Sequence, residues 1–141
     1  MSTPEFSIRV DTRERGKIIK SLEAIEGLSL AFEEMEVGDY ILPNGVAIER
    51  KSSTDLILSV VDKSIWGKVA KLREQYAKVI YIIEGDLYTA RFHQQPMDIH
   101  RALAHMVIAH DVAVLPSPDA ENSAMMIYLL ALAALEQPPG A

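Results

Sequence analysis

The residues able to do chemistry gather in one stretch: Gly38-Asp39, nine further residues, then Glu49-Arg50-Lys51-Ser52-Ser53-Thr54-Asp55. Between the two parts lies Pro43-Asn44-Gly45, a hairpin signal in which Pro starts the turn and Gly supplies a left-handed residue. A three-residue loop there pairs Leu42 with Val46, Ile41 with Ala47 and Asp39 with Glu49. Paired residues share one face, with Cβ atoms about 5 Å apart. Two carboxylates that close repel unless a cation lies between them. Mg²⁺ takes oxygen ligands and keeps several waters, so one or two carboxylates suffice. Lys51 leaves the strand on the face of Glu49, about 6.6 Å further along, and Arg50 points the other way. A metal beside a lysine suits phosphodiester hydrolysis. The metal polarises a phosphoryl oxygen and acidifies a bound water, and the ammonium orients that water or offsets charge building on phosphorus.

Other residues support or extend this constellation. Val10-Asp11-Thr12-Arg13-Glu14 puts two more acids and an arginine at the end of a first strand, where α/β sheets tend to place sites. Asp55 follows Lys51 by four. Arg13 and Arg15 read either as contacts to substrate phosphate or as neutralisers of the nearby carboxylates. Lys63, Lys68, Lys71, Arg73 and Lys78 cluster on and beside one helix, as a phosphate track or a solvated face. Lys63 and Lys68 lie nearest the motif and are the stronger candidates for DNA contact. His100, His105 and His110 are spaced by five. On a helix each is rotated by about 140° from the last, so the three cannot share one ion and read as surface or interface histidines. Trp66 reads as core rather than as a stacking platform, and Asp86 as a strand-end turn.

The elements that must position these groups alternate along the chain. Phe6–Val10 reads as a strand, Lys17–Ile25 as a helix stopped by Gly27, and Leu28–Met35 as a strand. Gly38–Leu42 and Val46–Lys51 form the hairpin. Thr54–Val61 is a short helix with Thr54 or Ser53 as N-cap, and Ile65–Ala77 a longer one. Val79–Ile83 is a solid apolar run that suits a buried central strand. Pro96 opens a helix to about His110, Val112–Leu115 is a strand, and Ser117-Pro118-Asp119 opens a last helix to about Glu136. The pattern predicts a mixed α/β sheet with helices packed on it, in one domain over residues 1–137 with a tail at 138–141.

Composition sets the outer limits. With 141 residues, 49% apolar and 24% charged, the chain suits one globular domain with a real core. It has no Cys, which excludes a disulfide framework, a thiolate zinc site and a thiol nucleophile. No signal-peptide pattern or membrane-length apolar run occurs, which points to a cytoplasmic domain, nucleoid-associated if prokaryotic. Net charge is −6, unsuited to indiscriminate polyanion binding. All 14 Lys and Arg fall within residues 1–101; residues 102–141 carry four acids and no Lys or Arg.

Asp11-Thr12-Arg13-Glu14, Gly38-Asp39-Tyr40, Glu49-Arg50-Lys51-Ser52 with Asp55, and Ile82-Ile83-Glu84-Gly85-Asp86-Leu87-Tyr88 together resemble the XPF/Mus-type structure-specific endonuclease family, in its archaeal XPF/Hef-like form. The resemblance runs from about Ser7 to Glu136. It implies a restriction-endonuclease-like α/β core of PD-(D/E)XK type and Mg²⁺- or Mn²⁺-dependent incision of branched DNA, such as 3′ flaps, forks and nicked junctions. It implies Asp39 and Glu49 as metal ligands, joined by Asp11, and Lys51 as the catalytic lysine. Asp11, Glu14, Arg50 and Asp55 take supporting catalytic positions. It also implies a homodimer. Many members have Gln where this chain has Lys68. The helix-hairpin-helix domain that usually follows is not in these 141 residues, so the resemblance leaves DNA grip to another module or to a helicase or clamp partner.

The last helix adds a physical reason for a dimer. Met125, Met126, Ile127, Tyr128, Leu129, Leu130, Leu132 and Leu135 cover every side of its wheel, and one helix face is all that a small sheet can cover. The helix before it is also rich in apolar residues. The expected interface is Leu103, Met106, Val107, Met126, Leu129 and Leu130. The rival readings are a non-catalytic subunit that binds branched DNA and a sequence-specific nuclease of restriction type.

Overall fold

The run Val79–Ile83 is buried at all five positions, because the strand that contains it is covered on both faces. A computed structural model describes residues 3–88 and 95–136. Its strands are β1 (Phe6–Asp11), β2 (Leu28–Glu33), β3 (Tyr40–Leu42), β4 (Val46–Ser52), β5 (Lys78–Glu84) and β6 (Val112–Ser117). Its helices are α1 (Lys17–Glu23), α2 (Ser53–Val61), α3 (Ser64–Gln75), α4 (Pro96–Ile108) and α5 (Ala120–Glu136). The six strands form one sheet in the order β2-β1-β3-β4-β5-β6. All pairs are parallel except those made by β3, which runs against β1 and β4.

Strand alternation divides the core into two layers. Ile8, Val10, Tyr40, Leu42, Ile48, Ile80 and Ile82 pack with α1 and α5 on one face. Ile41, Ala47, Val79, Tyr81 and Ile83 pack with α2, α3 and α4 on the other. The mixed sheet with flanking helices is the predicted fold class.

The hairpin holds the expected register at Leu42↔Val46, Ile41↔Ala47 and Tyr40↔Ile48. Its turn uses two left-handed residues, Asn44 (φ 63°) and Gly45 (φ 74°). Asp39 lies just beyond the ladder: its N–H donates to Ile48 O at 2.9 Å and its carbonyl accepts Asp11 N–H at 2.9 Å. Gly38 before it adopts φ 94°, a left-handed value that L side chains resist.

Several boundaries differ from the sequence expectation. The N-cap of α2 is Ser52, whose Oγ accepts Asp55 N–H at 3.0 Å, rather than Ser53 or Thr54. Ser117 belongs to β6, and α5 is capped by Asp119, whose Oδ1 accepts Asn122 N–H at 2.8 Å. Parallel pairing of Glu84 with Ser117 carries the strand past the local cap signal. The helix α4 stops at Ile108 and the chain turns through Asp111 at φ 54°. The expected tail at 138–141 falls outside the described residues.

Candidate active site

Because β1, β4 and β5 are parallel, their C-terminal ends share one edge of the sheet, and the start of β3 joins them there. That edge brings together Asp11, Glu14, Asp39, Glu49, Lys51 and Glu84. Asp11, Arg13, Glu14, Glu36, Val37, Gly38, Asp39 and Lys68 line a cleft of about 250 Å³.

Alternation along β4 sends Glu49 and Lys51 to the α2/α3 face and Arg50 to the other, as predicted. Glu49 is 2% exposed. Its Oε1 forms an ion pair with Lys68 Nζ of α3, while its Oε2 is buried without a hydrogen-bond partner. Asp39 sits beside it and accepts Arg50 N–H on Oδ2 at 2.8 Å. Burial, and then the charge of Glu49, push the Asp39 carboxyl up to about 7. Burial also raises Glu49, and Lys68 and Lys51 oppose that rise. Tyr81, the register partner of Glu49 on β5, has a buried hydroxyl that also lacks a partner.

Asp11, expected as a third metal ligand, has polar partners on both carboxylate oxygens. Arg13 Nε donates to its Oδ2 at 2.7 Å, and Met35 N–H and Arg13 donate to its Oδ1 at 3.1 and 3.3 Å. Arg13 holds its carboxyl below the usual range. These contacts tie the end of β1 to the loop that follows β2. Arg13 is thus first a neutraliser, fixed also to Met35 O at 2.7 Å, although its side chain remains 69% exposed at the cleft. Among the described residues no three His, Asp or Glu side chains are grouped to hold a metal. The donor set that fits a hard cation is the pair Asp39 and Glu49, with the partnerless buried Oε2 as its strongest mark.

The opposite face of the same edge is a support network. Arg50 makes a paired contact with Glu84, Nε to Oε1 at 2.5 Å and Nη2 to Oε2 at 3.0 Å. Ser123 of α5 donates to Glu84 Oε1 at 2.6 Å and lies 2.8 Å from Ser117 Oγ. Glu14 accepts Tyr40 OH at 2.6 Å and stands 3.7 Å from Arg50. Arg50 and Glu14, expected at catalytic positions, also tie neighbouring strands together behind Asp39. Asp55 is exposed in the first turn of α2 and does not line the cleft.

The expected DNA contacts also separate. Lys68 is engaged inside the site, and Lys63 and Arg15 are exposed. Lys71 pairs with Glu36 at 3.7 Å and Arg73 with Asp111 at 3.5 Å. Trp66 is half-buried, stacked on His110 at 5.5 Å and edge-on to His105 at 4.7 Å. The His105 and His110 rings lie 5.0 Å apart because His110 is past the end of α4, where helical rotation no longer applies.

Sequence reasoning missed Tyr40, Tyr81, Glu84 and Ser123. Tyr40 and Glu84 stood inside quoted motifs, but only their partners show what they do. The interface expectation changes as well. Met106 is 0% exposed in the core of the single chain and has no surface for a partner. Leu103, Met126 and Leu130 pack against the two core layers, while Val107, Ile108, Met125 and Leu129 are exposed.

This sheet, with acids and a lysine on one parallel edge, defines a domain of the restriction-endonuclease-like fold. The ERCC4 domain model matches residues 10–130, and the chain belongs to that family. It is 34% identical over 125 residues to the 3′-flap repair endonuclease Xpf of Saccharolobus solfataricus, a match that covers 88% of this chain and 54% of that one. It is 32% identical over 137 residues to the Fanconi anemia group M protein of Gallus gallus, covering 92% of this chain and 7% of that one. The solved structure of XPF from Aeropyrum pernix superposes with a TM-score of 0.85 at 24% identity, over 93% of this chain and 66% of that one. Its complex with DNA gives the same TM-score at 25% identity, over 92% and 65%. The chain thus spans about half the length of the Saccharolobus relative. No helix among the described residues is long and apolar enough to cross a membrane.

Proposed function

We propose that this domain is a metal-dependent, structure-specific endonuclease that hydrolyses phosphodiester bonds at branched DNA in repair or recombination. The observation that carries the reading is the Glu49 carboxylate, buried at the functional edge with one oxygen partnerless, next to Asp39 and on the face of Lys51. A buried carboxylate oxygen without a partner is costly unless a cation or donor completes it. The family and the names of the relatives support the same chemistry.

Asp39 and Glu49 would hold Mg²⁺ or Mn²⁺, which supplies Lewis acidity and a more acidic water when bound. Arg50 N–H fixes the orientation of the Asp39 carboxylate. The Arg50–Glu84–Ser123 contacts lock β4, β5 and α5 together, so that this donor does not drift. Lys51 places an ammonium on the reacting face, where it orients water or offsets charge on the phosphoryl oxygens. Arg13, anchored by Asp11 and exposed at the cleft, offers a cation to the DNA backbone.

The domain acts as a homodimer through the side formed by α4, β6 and α5. The support is the exposed apolar set Val107, Ile108, Met125 and Leu129, with Ile108 83% exposed. Charge depletion in residues 102–141 fits an interface better than a DNA face. Most of the grip on DNA comes from outside this net-acidic domain, from a helix-hairpin-helix module or a partner chain.

A labelled 3′ flap incubated with the domain and Mg²⁺ or Mn²⁺ tests the activity. Incision near the branch, absent with Asp39→Ala and with unbranched duplex, is the expected result. Binding without incision in either metal would instead identify a non-catalytic subunit, and cutting of unbranched duplex at one sequence a restriction-type nuclease.

A further inference from the structure

Among the described residues, Lys68 is a cation that lines the cleft and that the mechanism does not use. Ile65, Val69 and Leu72 bury one face of α3 against the sheet. Lys68, beside Val69, is carried to the edge of that face and over Glu49. Its ammonium contacts Glu49 Oε1, the oxygen next to the partnerless Oε2, and its stem lines the cleft together with Asp39. One turn along the same helix, Lys71 reaches only Glu36, at 3.7 Å between two exposed side chains.

We infer that Lys68 is a built-in counter-cation of the metal-free site, which a divalent ion must displace from Glu49, so that Lys68 sets the metal affinity of the domain. The inference rests on the proposed role of Asp39 and Glu49 as metal ligands. A buried carboxylate is costly without a positive partner. Lys68 provides one, and lets the strand end fold with its acids in place before any metal arrives. The ammonium and the ion compete for the same carboxylate, since an Oε1 that accepts a charged hydrogen bond draws negative charge away from Oε2 and makes the group a poorer ligand. Displacement is sterically open. The Lys68 side chain is 42% exposed, and a four-carbon stem swings outward without disturbing the packing of Val69. Partial burial and the charge of Arg13 act against the ammonium, and the attraction of Glu49 and Asp39 outweighs them.

The test is a Mn²⁺ titration of wild-type domain, Lys68→Gln and Lys71→Gln by calorimetry at neutral pH. Thermal melts in EDTA and in Mn²⁺ accompany it. Lys68→Gln should bind Mn²⁺ at least tenfold more tightly than wild type, melt lower in EDTA and gain more from Mn²⁺. Lys71→Gln removes the same charge one turn away and should stay within about twofold of wild type. Equal gains in the two variants, or no gain in Lys68→Gln while wild type binds, would overturn the competition and leave the metal reading intact. No Mn²⁺ binding by any of them would overturn both. If Lys68→Gln fails to fold without metal, the wild-type protein decides: the Lys68 side-chain NMR resonances should shift saturably on Mg²⁺ addition. Resonances unchanged at saturation would also refute the displacement.

Discussion

Asp39 and Glu49 place two carboxyls in one buried corner, so the metal-free domain should be less stable at pH 8 than at pH 5. Burial and the Glu49 charge raise Asp39 from 3.8 to about 7. Folding therefore favours the proton-bound form. The stabilisation is complete below the unfolded value near 4 and is lost as pH rises through the folded value near 7. Between pH 5 and 7 an acid protonated in the folded state and ionised in the unfolded one loses about 1.4 kcal/mol per pH unit, or about 3 kcal/mol in all. The loss belongs to the coupled pair, not to Asp39 alone. Asp39→Asn removes the charge and keeps an oxygen for Arg50 N–H. Urea unfolding in EDTA should show wild type losing about 3 kcal/mol across that window and Asp39→Asn losing clearly less, with the remainder due to Glu49, which burial also raises. Mn²⁺ should restore wild type at pH 8 and leave the variant unmoved. Asp11 has the opposite sign: its carboxyl is lowered, so its stabilisation is present at neutral pH and is lost only on acidification below about 4, outside the window. Parallel profiles for wild type and Asp39→Asn would refute the account of the corner.

Three further outcomes are expected. Lys51→Ala should lose flap cleavage by at least about a hundredfold while binding Mn²⁺ as wild type does; calorimetry beside a cleavage assay separates the two effects. Glu84→Ala should cost about 2–3 kcal/mol in urea unfolding, because half-buried Arg50 is left with Glu14 at 3.7 Å as its acidic partner. Ser123→Ala should cost about 1 kcal/mol. Leu129→Glu should give a folded monomer by light scattering, whereas Met106→Glu should unfold the chain, since Met106 is fully enclosed within one copy.

Much of the active edge was legible in the sequence because strand geometry is local. A period of two dictates that Glu49 and Lys51 share a face and that Arg50 takes the other. The Pro43-Asn44-Gly45 turn sets the register of the hairpin before any tertiary contact forms. The apolar run at Val79–Ile83 declared a strand covered on both sides. The acids needing a cation, and the lysine beside them, followed from those facts and from Coulomb repulsion.

What each of these side chains touches was decided by the tertiary structure. Asp11 reads like Asp39 on paper, but the loop after β2 closes over it and brings Met35 N–H within 3.1 Å, so it ties β1 to that loop. Lys68 reads as a candidate DNA contact on a helix face, but burial of Ile65, Val69 and Leu72 rotates α3 until its ammonium lies on Glu49. Glu84 meets Arg50 only because β5 runs parallel to β4, and Ser123 only because α5 packs across both. Ser117 has the chemistry of a helix cap, yet pairing with Glu84 kept it in the sheet and moved the cap to Asp119. Met106 was assigned to a partner by a helical wheel that shows which residues are apolar but not which way the helix faces. Periodicity and turn chemistry act over a few residues and are written locally. The pairing of groups 20 to 40 positions apart depends on how the layers close, and that is a property of the whole packed chain.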